Sequence, residues 1–173
     1  QRSRGLGDVY KRQLLLFVGL ATFSRVVLSF IPNVMPVTIM AVMVGSKFGA
    51  QRGISFAILV TLASNAVLGH GWWSLFQMIG WGSVAAVASM ISVHDSSANL
   101  SMNRLLFASL WSVPIFSIIV SFSILDSSMS MIEFGLYVAN GLLYDVLHFL
   151  GNVFFAMWFL SLIHISEPTR PLI

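Results

Sequence analysis

Six apolar runs, broken by short polar or proline- and glycine-marked turns, organise this chain. The first, Leu14 to Ile31, stops at Pro32; the second runs only from Pro36 to Phe48. The third covers Gly53 to Leu68, the fourth Ser74 to Val93, the fifth Leu105 to Leu125 and the sixth Tyr137 to Leu160. Several approach the ~20 apolar residues that carry a helix across a bilayer core. At 1.5 Å per residue the second reaches only ~20 Å, so it sits inside a bundle or partly at the interface. Pro114 falls within the fifth run, where a membrane helix tolerates proline and a kink is expected. No segment alternates with the period of two that a barrel strand needs. The pattern predicts an all-α protein: a polytopic membrane protein folded as a six-helix transmembrane bundle, with no internal repeat.

Composition strengthens the membrane reading. The 173 residues are 57% apolar and 9% charged, where a soluble domain carries about a quarter charged residues. Zero cysteines exclude disulfides, thiolate metal sites and cysteine nucleophiles. The net charge of +3 invites no nucleic acid, because Arg2, Arg4, Lys11, Arg12 and Arg170 all lie at the two ends. Those ends, "RGLGDVYKRQ" and "SLIHISEPTRP", resemble translated sequencing-adapter read-through. Residues 1–13 and 161–173 are therefore expected to be appended tails, and 14–160 the functional domain, with both native termini missing. Within it Arg25, Lys47, Arg52 and Arg104 balance Asp95, Asp126, Glu133 and Asp145.

The position of these charges orients the chain. Lys47 and Arg52 bracket the second turn and Arg104 opens the fifth run, whereas the fifth-to-sixth connection "DSSMSMIEFG" carries only acids. The positive-inside rule puts both ends in the cytoplasm and turns the "IPNVMP", "GHGWW" and acidic connections outward.

Polar groups inside apolar runs each need a reason, since a charge at membrane depth costs ~2.5 to 3.5 kcal/mol on insertion scales. Arg25 shares a small and polar face with Ala21, Thr22, Ser29 and Pro32. It serves an outward cavity or an outer loop, or else it snorkels or pairs with Asp145. Asp145, His148 and Asn152 fall within about 60° on a helical wheel, with Gly141 and Ala156 extending the stripe. That row fits ligand contact, a proton relay or plain interhelical hydrogen bonding. One histidine and one carboxylate make a poor metal site, and no metal or cofactor is expected. In "LGHGWWSLFQMIGWG", Gly69 and Gly71 allow a tight turn, and Trp73, Gln77 and Trp81 recur at i, i+4 and i+8. Two tryptophans around an amide make a platform for a flat ligand. Trp72 and Trp73 also fit an interfacial aromatic belt. Asn33 sits in a stiff turn between prolines, and Ser64 and Asn65 end the third run on the same outer side.

No nucleophile elbow, zinc-protease motif or phosphate loop is present, so nothing points to an enzyme. The ordered motifs, however, resemble a known family. An intramembrane Arg25, "PNVMP" at 32–36, "GSKFGAQRG" at 45–53, "SNAVLGHGWWSLFQMIGWG" at 64–82 and "DVLHFLGN" at 145–152 look like the substrate-binding S component of energy-coupling factor (ECF) vitamin transporters. The likeness is greatest to a branch that includes cobalamin-type members. It implies a prokaryotic plasma-membrane protein that captures a vitamin outside and topples to release it inside. Its partners would be a transmembrane coupling protein and two ATPase subunits. It also assigns Asn33, Gly71, Gln77 and Trp81 to the pocket or its lid. Two departures stand out: Phe17 and Ala21 occupy the place of the small-residue docking pattern on the first helix, and Trp72 stands where relatives tend to have proline. The competing readings are a stand-alone carrier using Asp145 and His148 as a proton-coupled pair, and a membrane scaffold without a ligand.

Overall fold

The computed structural model describes residues 2–91, 93, 101–126 and 128–166. Their secondary structure is helical: α1 (Arg2–Val27), α2 (Val37–Phe48), α3 (Ala50–Leu68), α4 (Trp73–Met90), α5 (Met102–Ser121) and α6 (Met131–Ser166), with one 3₁₀ turn at Phe122–Ile124. The expected six-helix, all-α architecture is the observed one. Three stretches, Ala50–Leu68, Met102–Ile124 and Met131–Ser161, are long and apolar enough to cross a membrane. Helical conformation continues into both terminal stretches, from Arg2 and as far as Ser166. Most of the polar connection 92–103, including His94 and Asp95, lies outside the described residues, as do residues 167–173 of the C-terminal tail.

The short second run resolves into the centre of the bundle. Val37 to Val42, Val44 and Gly45 are buried, and α2 packs against every other helix. A helix of ~18 Å cannot span lipid alone, and enclosure by its neighbours removes the need. Such central burial needs close approach, which small residues permit in a membrane bundle. A Cβ on Gly45 would lie 2.2 Å from the Ala85 carbonyl oxygen, and one on Gly53 would lie 2.6 Å from the Ala85 Cβ. Helices α2, α3 and α4 therefore meet backbone to backbone at one point. The reversal from α2 to α3 takes a single residue, Gly49, whose φ of 87° and ψ of 167° are open to glycine and strained for any other side chain. Large apolar side chains such as Leu16, Phe30, Phe107 and Leu143 face outward, as a lipid-facing surface requires.

Two element ends differ from the sequence expectation. Helix α1 stops at Val27 rather than Ile31, and residues 28–35 form a compact turn that enters α2 through Pro36. Helix α6 begins at Met131, six residues before Tyr137. Its start is a capping box: Ser130 caps the helix, its N–H and Oγ donate to Glu133 Oε2 at 2.8 Å, and the Glu133 N–H donates back to Ser130 Oγ at 3.2 Å. Just upstream, the Ser128 hydroxyl and N–H donate to Asp126 Oδ1 and hold its carboxyl below the usual carboxylate range. Helix α5 is continuous through Pro114.

Candidate functional site

A cavity of about 430 Å³ opens between the 32–36 turn, α5 and α6. Helix periodicity builds it. Tyr137, Gly141, Tyr144, Asp145 and His148 recur at three- and four-residue steps along one face of α6, and Asn140 borders the same face. Opposite them, α5 contributes Phe116, Ser117, Val120 and Ser121, again one turn apart. Pro32 and Asn33 close the third side. Asn33 adopts the left-handed conformation, φ 59°, which asparagine tolerates better than other non-glycine residues. Its Nδ2 donates to the Tyr144 carbonyl at 3.2 Å and so pins the turn to α6. All three walls lie toward the end of the bundle that carries the 28–36 turn and the acidic 126–133 connection.

Among the described residues Asp145 is the only carboxylate lining this cavity. Ser117 Oγ donates to its Oδ2 at 3.0 Å. Of the alternatives open to Arg25, pairing with Asp145 is not the one observed: α1 packs chiefly against α3, and α6 chiefly against α5. The wheel gave each residue's face correctly, but a face does not say which helix stands opposite it. Arg25 instead turns toward α3 and α4. Its Nη1 donates to Ser64 Oγ and, at 2.7 Å, to Asn65 Oδ1, and its guanidinium carbon lies 5.0 Å from the Trp81 ring centroid. The buried cation is thus held by neutral oxygens and an aromatic face.

Beneath the cavity a polar chain ties the helices together. Trp81 Nε1 donates to Thr38 Oγ1 at 3.0 Å, and Thr38 Oγ1 is 2.7 Å from His148 Nε2. Phe116 stacks on Trp81 at 4.7 Å and meets the His148 ring edge-on at 5.4 Å. Phe116 therefore separates Trp81 from the cavity that Phe116 itself lines. His148 reaches the cavity floor while remaining 3% exposed. Asn152, one turn further along α6, is fully buried, and neither end of its amide finds a hydrogen-bond partner among the described residues.

The ten residues singled out in the sequence divide accordingly. Asn33, Asp145 and His148 come together on the cavity. Arg25, Asn65, Gln77 and Trp81 form the neighbouring polar layer, in which Asn65 Nδ2 donates to Gln77 Oε1 at 2.9 Å and to Ser74 Oγ at 2.8 Å. The Trp73–Gln77–Trp81 face exists, but its members part company: Trp73 is 48% exposed, Gln77 is occupied by Asn65, and Trp81 is 1% exposed inside the bundle. Gly69, φ 105°, carries the turn before α4, while Gly71 makes room for the Trp73 ring, only 2.1 Å from where a Cβ would lie. Sequence reasoning passed over Phe116, Ser117, Tyr137, Asn140 and Tyr144. The last three border or share the wheel face of Asp145 and were accessible to the same count; the α5 pair was not, because nothing in α5 marks which side meets α6.

The chain matches no family model, no curated protein and no solved structure.

Proposed function

We propose that this chain is a membrane-embedded binding subunit that captures a vitamin-like small molecule from outside the cell and delivers it inward through partner proteins. The observation that carries the proposal is the cavity of about 430 Å³, with aromatic walls and a few convergent polar groups, at one end of the helical bundle. It lies toward the end of the bundle that the positive-inside rule turns outward, away from Lys47, Arg52 and Arg104. Binding is its chemistry: the sequence offers no phosphate loop, so energy for release comes from outside the chain. The motif order of ECF S components supports the same assignment, with a coupling protein and two ATPases as partners and both chain ends in the cytoplasm of a prokaryotic cell. A volume of this size suits a one- or two-ring micronutrient rather than a corrinoid.

A second reading has one observation in its favour: Asp145 and His148 both line the cavity, as a proton-coupled carrier would need. Reconstitution separates the two. The purified chain alone in liposomes should bind ligand without accumulating it, and cross-linking in prokaryotic membranes should capture a membrane coupling protein with an ATPase pair. Accumulation by the chain alone under a proton gradient, with no ATPase captured, would favour the carrier.

A further inference from the structure

We infer that the cavity selects a small organic cation, with Asp145 as the group that pairs with its charge. This deepens the binding-subunit reading and rests on it. Among the described residues Asp145 is the one carboxylate on the cavity wall, and no lysine or arginine of that set lines it. Its Oδ2 receives a neutral hydroxyl, Ser117, while its Oδ1 has no hydrogen-bond partner among the described residues. Arg25, the intramembrane cation that could neutralise it, is committed to Ser64, Asn65 and Trp81. A carboxylate at membrane depth without a counter-charge is costly, and a positively charged ligand removes that cost on entry.

The walls agree with this charge. Phe116, Tyr137 and Tyr144 surround the same space, and aromatic faces attract ammonium and related cations, most strongly where water is excluded. One N–H of the Asn33 amide is held by the Tyr144 carbonyl, which leaves a single neutral donor on that side against the full charge of Asp145. An anionic ligand would face Asp145 directly, a like-charge contact that selects against it. The volume, toward the lower end of the usual range for ligand pockets, sets the size at one or two rings.

The test uses the full chain in maltoside detergent, free of choline headgroups, and reads thermal stabilisation against ligand concentration. Choline, 1-methylnicotinamide and thiamine are the cations; 3,3-dimethylbutan-1-ol, nicotinamide and nicotinate are their neutral or anionic counterparts. At least one cation should bind about ten-fold or more tightly than its uncharged analogue. Asp145→Asn, which keeps an oxygen for Ser117, should erase that preference, and Asp145→Glu should retain it. Neutral or anionic members that bind as well as the cations, and equally in Asp145→Asn, would overturn cation selection while leaving the cavity a binding site. Silence of every cation would overturn it too; a ligand that nevertheless co-purifies with the parent chain would show that the binding reading survives.

Discussion

Gly45→Val is expected to prevent stable assembly of the bundle. Any Cβ at this position falls 2.2 Å from the Ala85 carbonyl oxygen and 2.8 Å from its carbonyl carbon. The obstacle is backbone, which cannot rotate out of the way as a side chain can. Relief requires α2 to back away from α4, yet α2 touches every other helix and its retreat would disturb those contacts. In lipid no hydrophobic force drives the helices back together, because the acyl chains are as apolar as the helix faces. Close van der Waals contact is what is lost, at a cost of about 3 kcal/mol or more. The variant should show a collapsed yield of monodisperse protein and a steep fall in unfolding temperature. Gly19→Val, on the same chain but with nothing within 4 Å of its Cβ, should behave like the parent.

Trp81→Ala should be nearly as damaging, and for a reason that bears on the site. The indole is 1% exposed and has three jobs: it lies 5.0 Å under the Arg25 guanidinium, stacks 4.7 Å from Phe116 and donates to Thr38. Truncation leaves a void of indole size, which costs about 3 to 5 kcal/mol in well-packed proteins. It also withdraws the aromatic face from a buried cation. Trp81→Phe keeps most of the ring and forfeits the hydrogen bond to Thr38, so about 1 kcal/mol is expected. The order parent, Trp81→Phe, Trp81→Ala in denaturation midpoint follows from a structural role. Were Trp81 a ligand platform open to the outside, Trp81→Ala would keep the parent's midpoint and lose only binding.

How far the sequence foretold this arrangement depended on how local each signal is. Helix α2 was legible nearly to the residue because Pro36 and Gly49 punctuate it. The start of α6 was legible in principle too: Ser130 and Glu133 stand three residues apart, the spacing of a capping box, although a polar stretch with two acids fits a loop equally well. Periodicity placed Asp145 and His148 on one inward face, and the cavity lies on that face. What periodicity cannot supply is the identity of the facing helix. Arg25 and Asp145 both point inward, yet toward different neighbours, so the pairing that their faces allowed does not form. The same limit applies to Trp81, whose face was read correctly and whose opposing element, Phe116 of α5, was not.

The central claim is that the α5–α6 cavity holds a ligand, and one substitution addresses it with little risk to the fold. Gly141 lines the cavity, and a Cβ there would have no atom within 4 Å. Gly141→Phe would therefore project a ring into open space while improving helix propensity. Native mass spectrometry of the full chain, extracted gently from prokaryotic membranes, should give a one-to-one small-molecule adduct for the parent. The Gly141→Phe protein should be equally stable and bare. An adduct that persists unchanged in Gly141→Phe, or a well-folded parent that never carries one, would contradict the account.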